Sequence, residues 1–149
     1  MSTKSIASDD RMLEAYRGVV YPLHLDHMDH MNVQYYVEQY GVWHVFAAIG
    51  LTPTYMREQN RGMAAVEMNI RYLAELHAGD LIAVRAGIVK VGEKSLHVVQ
   101  RMRNAETGET AAEWRAVAVH LDRKARRGIP FPSEVAERAR AMIVAPPGD

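Results

Sequence analysis

Apolar residues along the chain change their spacing at one point, and the change divides the sequence. From residue 33 to 47, Val33, Tyr36, Val37, Tyr40, Trp43, Phe46 and Ala47 recur at steps of three and four, the mark of a helix with one broad apolar face. The pattern predicts a helix of about five turns, capped by Asp29 or Asn32 and ended by Gly50 and Pro53. Its aromatic content predicts that it lies buried.

From Met63 the period becomes two. Ala64, Val66, Met68, Ile70 and Tyr72 alternate with Ala65, Glu67, Asn69 and Arg71, which predicts a strand with the first set facing inward. Further strands are predicted over residues 81–91, 95–103 and 110–121, separated by turns at Gly92-Glu93-Lys94 and at residues 105–109, so an antiparallel meander follows. Residues 16–24 are mostly apolar or β-favouring, and Pro22 marks them as an edge or terminal strand. Residues 52–62 read as a polar connection with room for a helical turn, and residues 133–142 as a short closing helix. Residues 145–149 read as a frayed tail.

One strand, one long helix and four strands give an α+β layer architecture in which the sheet must cover the helix, because nothing else is present to bury it. A chain of 149 residues with 48% hydrophobic content suits a single domain, expected over 1–149 with its core at about 16–137.

Charge and composition remove several functions. Lys plus Arg equals Asp plus Glu at 18 each, so no global field draws the chain to nucleic acid or an anionic membrane. There is no cysteine, which removes disulfides, thiolate nucleophiles and Cys-ligated metals. No stretch approaches the ~18 apolar residues of a membrane span, and residues 1–11 lack the apolar run of a signal peptide. A soluble, cytoplasmic protein is expected.

The densest polar chemistry lies just before the long helix, at His24, Asp26, His27, Asp29, His30 and Asn32. Helix capping and loop filling account for most clusters of this kind. A carboxylate beside a helix start nevertheless sits where backbone N–H groups are unpaired and developing negative charge is favoured. No serine lies in a G-x-S-x-G elbow, so hydrolysis by this chain requires a carboxylate or an activated water. A metal held by His24, His27 and His30 is disfavoured, because a helix fans that spacing apart and a strand alternates it. Glu67 and Glu38 are further carboxylates whose default is a solvated strand face and helix surface. The basic run of residues 123–127 and Lys94, in the turn after Gly92, are solvated by default and are also the groups available to hold phosphates.

These residues resemble the 4-hydroxybenzoyl-CoA thioesterase-like branch of the hotdog superfamily. That pattern has an Asp about four residues ahead of a Gly-His-Val-Asn-Asn-x-x-Tyr helix start. Here Asp26, then His30-Met31-Asn32, then Tyr36 match it, with Asp29 in place of Gly and Val33 in place of the second Asn. Gly62, Ile70-Arg71-Tyr72-Leu73, Ala78-Gly79-Asp80-Leu81, Gly92-Glu93-Lys94-Ser95 and Ile129-Pro130-Phe131-Pro132 continue it in order.

The resemblance implies a hotdog fold: a five- or six-stranded antiparallel sheet around one long helix, in a homodimer or a tetramer of dimers whose active sites lie at the dimer interface. It implies an acyl-CoA thioesterase acting on a small or aromatic acyl group. Asp26 would be nucleophile or general base, the Val33 backbone amide the oxyanion donor, and His30 and Asn32 supporting residues. Lys94, Ser95, Arg126 and Arg127 are the implied CoA-binding residues. No separate cofactor and no metal are expected, since CoA is part of the substrate. Tyr35, Tyr36, Tyr40 and Trp43 are compatible with an aromatic, short-chain or cationic acyl group, and their default role is packing. A hotdog hydratase or dehydratase and a non-catalytic acyl-CoA binder are the competing functions. The hydratase spacing from Asp to His is one residue longer than Asp26 to His30, and its usual Pro is absent.

Overall fold

The computed structural model describes residues 11–38 and 41–144. Strand β1 (Leu13–Val19) leads into a 3-10 turn at Pro22–His24, followed by helices α1 (Val33–Glu38), α2 (Val42–Ala48) and α3 (Pro53–Glu58). Strands β2 (Arg61–Tyr72), β3 (Leu81–Val91), β4 (Ser95–Asn104), β5 (Thr110–Asp122) and β6 (Arg127–Gly128) come next, and α4 (Ser133–Ala141) closes the order. The strands form one sheet in the order β1-β3-β4-β5-β2, with β6 on the end of β5 and every pairing antiparallel. The meander β3-β4-β5 has the limits that its alternation and turns predict. Strands β1 and β2 are added at opposite edges.

The inner face of the sheet carries Val84, Ala86 and Ile88 of β3, Leu96 and Val98 of β4, and Trp114, Ala116 and Ala118 of β5, all buried. Val42, Val45, Phe46 and Ile49 pack onto this face, and Val135 and Ala139 of α4 join the same core. Its closeness to the sheet determines the local form of the helical segment. A Cβ on Gly41 would fall 2.4 Å from the Ala15 Cβ of β1. The Gly41 N–H donates to the buried Gln100 Oε1 at 2.8 Å, so the sheet takes an amide that regular helix would direct to a carbonyl.

Of the single five-turn helix expected from the periodicity, the structure describes α1 and α2, the second capped at Gly41, and residues 39–40 between them lie outside the described residues. The expected burial is corrected: the inward residues are buried, but Trp43 is 51% exposed and Val33 54%. Tyr40 lies outside the described residues.

Strand β2 departs from simple alternation at one residue. Met68 and Ile70 lie opposite Ala116 and Trp114, but the register steps from Ala65↔Ala118 to Glu67↔Val117. Val66 is thus a bulge, 63% exposed rather than inward, and Met63 packs on the core where Ala64 was expected.

Candidate active site

The loop of residues 25–32 is closed by its own backbone. Leu25 and Met31 form an isolated antiparallel bridge, the Asp26 N–H donates to His30 O at 3.3 Å, and the Asp29 N–H donates to Asp26 O at 3.0 Å. Closing so tight a turn requires the left-handed conformation at Asp29, whose φ is +63°, where glycine is most at ease and Asp is tolerated. This explains why the resembled pattern has Gly at that position. Met31 N–H to Leu76 O (2.7 Å) and Asn32 N–H to His24 O (3.0 Å) anchor the loop to its surroundings.

Between the two cap candidates, Asn32 takes the role. Its Oδ1 accepts from the Gln34 N–H at 3.0 Å, two residues into the helix start. Its Nδ2 donates to Asp26 Oδ2 at 2.9 Å, while Asp26 Oδ1 accepts from the Met28 N–H at 2.8 Å. The Met28 amide and then the Asn32 amide stabilise the charged form, and His30 and His27 add to this. Asp26 is held below the usual carboxylate value of 3.8 despite an opposing contribution from partial desolvation. It is a carboxylate, fixed in direction and ionised at neutral pH.

Val33 is the first residue of α1, among the helical positions whose amides lack an intrahelical acceptor. It lines a cleft of about 230 Å³ together with His30, Met31, Tyr36, Tyr72, Leu73, Ala74 and Glu75. The structure thus brings Asp26, His30, Asn32 and Val33 together. Of the aromatics singled out in the sequence, Tyr36 alone reaches the cleft among the described residues. Tyr35 packs against His24 at 4.8 Å and Trp43 against Phe46 at 5.3 Å.

Sequence reasoning missed Tyr72 and the segment 73–75 as cleft residues. An aromatic at the end of a strand followed by a polar loop is too common a signal to have marked them. Glu67 lines a different concavity of about 420 Å³ with Arg71, Glu113 and Arg115.

The expected CoA-binding residues lie elsewhere. Lys94 is exposed in the turn before β4, and its carbonyl accepts from the His120 N–H at 2.8 Å. Ser95 begins β4 opposite Val119. Arg126, at φ +57°, lines a cleft with Asn60, Leu121 and Arg123, and Arg127 pairs with Asp122 in β6. All four occupy the end of the sheet where β4 starts and β5 finishes. The Asp26 loop sits by the start of β3, as Val20 N–H to Asp80 O at 2.9 Å shows, beside the finish of β4. Ten strand residues separate these ends, about 30 Å. One chain does not bring the two groups together.

Comparison with known proteins agrees with this architecture. The family model of the thioesterase-like superfamily matches residues 20–139. An L-carnitine dehydrogenase/betainyl-CoA thioesterase from Rhizobium sp. is 29% identical over 147 residues, covering 91% of this chain but 29% of that protein. The chain therefore spans under a third of that relative's length. The betainyl-CoA thioesterase of Pseudomonas aeruginosa PAO1 is 24% identical over 137 residues, covering 91% of this chain and 86% of that one. A Staphylococcus aureus protein solved in complex with CoA superposes with a TM-score of 0.80 at 20% identity, over 95% of this chain and 87% of its own, which shows the hotdog fold. The match is at the level of the superfamily, coarser than the 4-hydroxybenzoyl-CoA branch. With a matched segment that runs from the end of β1 through α4, this chain belongs to the thioesterase-like superfamily.

Proposed function

We propose that the protein hydrolyses acyl-CoA thioesters carrying a small or aromatic acyl group, with Asp26 as nucleophile or general base. The observation that carries this reading is the Asp26 carboxylate, ionised and held by Met28 and Asn32, next to a helix whose first residue lines a cleft. The thioester oxygen would accept from the Val33 amide, which stabilises the negative charge that develops on it. Asp26 would attack the carbonyl carbon to give a mixed anhydride that water then cleaves, or would take a proton from the attacking water. In either route the C–S bond breaks and CoA leaves as a thiolate, a leaving group that needs no strong general acid. No cofactor is required beyond the CoA that the substrate carries.

Holding CoA calls for a second copy. Strand β2 is an open sheet edge whose Tyr72 end borders the cleft and whose Arg61 end borders Asp122, Arg123 and Arg126. Two copies pairing antiparallel along β2 would set the basic end of one beside the Asp26 end of the other. This supports a homodimer, alone or doubled into a tetramer, in which Lys94, Ser95, Arg126 and Arg127 serve the partner's substrate. Because curated relatives are named for betainyl-CoA, that ester is the first substrate to try.

The test is free-thiol release from a panel of acyl-CoA esters by wild type and Asp26→Asn, with thermal melts to verify folding. Loss of about 10²–10⁴-fold in rate in a folded variant is expected. Near-normal turnover in folded Asp26→Asn overturns the reading, and activity removed from wild type by a chelator would point to a metal instead. Since Asp26 is held below 3.8, the acid limb of kcat/KM should lie below the ordinary carboxylate range.

A further inference from the structure

The cleft beside α1 has a composition that hydrolysis alone does not call for. Among its eight lining residues are two tyrosines and one glutamate, with no lysine or arginine. Tyr36 and Tyr72 stand edge to face, centroids 5.3 Å apart at 86°, so the two rings meet at a right angle where they line the cleft. The Tyr36 hydroxyl donates to Ala74 O at 3.1 Å, which fixes the ring. The ring is only 4% exposed. Glu75 adds a formal negative charge at the rim. Its ion-pair contacts among the described residues are with two imidazoles, His30 at 3.8 Å and His77 at 3.5 Å.

An exposed aromatic ring and a carboxylate together attract a cation: Tyr72, 48% exposed, offers the negative side of its quadrupole to the cleft, over a floor formed by the buried Tyr36. The surroundings favour a cation without N–H groups. A primary ammonium needs several acceptors, whereas the methyl groups of a quaternary ammonium need only apolar faces, which Met31, Val33 and Leu73 extend beyond the rings. Val33 fixes the distance to the chemistry. When one carbon separates nitrogen from carbonyl carbon, the two atoms are about 2.5 Å apart, so a head in this cleft leaves the carbonyl beside the helix start.

We infer that the Tyr36–Tyr72–Glu75 corner is a subsite for a quaternary ammonium group on the acyl moiety, and that it sets substrate selectivity. This rests on the thioesterase reading. The test compares betainyl-CoA with its neutral isostere, 3,3-dimethylbutanoyl-CoA, in wild type, Tyr72→Leu and Glu75→Gln, and the readout is the ratio of the two kcat/KM values. Both substitutions fall at exposed positions, where folding tolerates them. Wild type should prefer the cationic ester by about tenfold or more, and each variant should cut that ratio by about fivefold or more. Equal use of the two esters by wild type, or a ratio unmoved in both variants, overturns the inference while the thioesterase reading stands. Release of thiol from neither ester overturns both.

Discussion

Replacing Gly41 with alanine tests the packing that brings the helical segment onto the sheet. The new Cβ would lie 2.4 Å from the Ala15 Cβ and 3.1 and 3.2 Å from the Ala15 carbonyl carbon and oxygen. Carbon atoms rest comfortably about 3.5–4.0 Å apart, so β1 or α2 must shift by roughly 1 Å. Overpacking of this kind costs about 1–3 kcal/mol. The shift also lengthens the 2.8 Å bond to Gln100 Oε1 and leaves the buried Gly41 amide short of its acceptor, at about 1–3 kcal/mol. Against these stands a gain of about 0.4–1 kcal/mol from a less flexible unfolded chain. A net loss of about 2–4 kcal/mol should lower the melting temperature by about 5–15 °C, measured by circular dichroism at one fixed protein concentration. Adding Ala15→Gly removes the nearest atom and should restore part of the loss. A Gly41→Ala protein that melts at or above the wild-type temperature, or a double variant no better than the single, refutes the account.

Two other predictions follow from burial and from the open edge. His120 is 1% exposed, with Nε2 3.0 Å from the Tyr55 hydroxyl and Nδ1 3.1 Å from Ile129 O, and burial lowers its pKa below 6.5. The unfolded chain then binds the proton more readily, so stability present above about pH 6.5 is lost as pH falls toward the folded value. Melting temperatures between pH 7.5 and 5.5 should drop more steeply for wild type than for His120→Gln, and equal slopes would exclude His120 as the cause. Sedimentation at micromolar concentration should give a dimer or tetramer, and Val66→Lys or Met68→Lys on the β2 edge should shift it toward monomer. A stable wild-type monomer contradicts edge pairing.

Much of the fold was legible because its signals are local. The meander has strong alternation and unmistakable turns, and β3, β4 and β5 fall within a residue or so of expectation. Less legible were features set by contacts distant in sequence. Gly41 lies in the middle of a helical period, and only its approach to Ala15 and Gln100 shows why the pattern is interrupted there. The bulge at Val66 is likewise invisible in a sequence that alternates correctly on both sides of it. At the site, Asp26 and Asn32 were readable from their place before the helix. Tyr72 and Glu75 were not, because the link from Tyr36 to Ala74 spans 38 residues of sequence.

The amide of Asn32 joins folding to chemistry in one side chain. Its carbonyl oxygen must face the Gln34 N–H to cap the helix, and because the group is planar its nitrogen then faces outward to Asp26. A rotamer that failed the cap would release the carboxylate, and one that held the carboxylate by its oxygen would set two acceptors against each other. Forming α1 therefore orients Asp26 as a consequence. The turn at Asp29 and the anchors from Met31 to Leu76 and Asn32 to His24 fix the distance between carboxylate and helix start. Every component of the hydrolytic apparatus proposed here thus lies within the segment of residues 24–34, and neither the sheet edges nor the distant basic residues are needed to build it. What that segment lacks is a grip on a long, charged thioester. Tyr72, Leu73 and Glu75 reach the cleft from β2 and the loop after it, so substitutions there would alter the space offered to the acyl group while leaving the Asp26–Asn32 turn as it is.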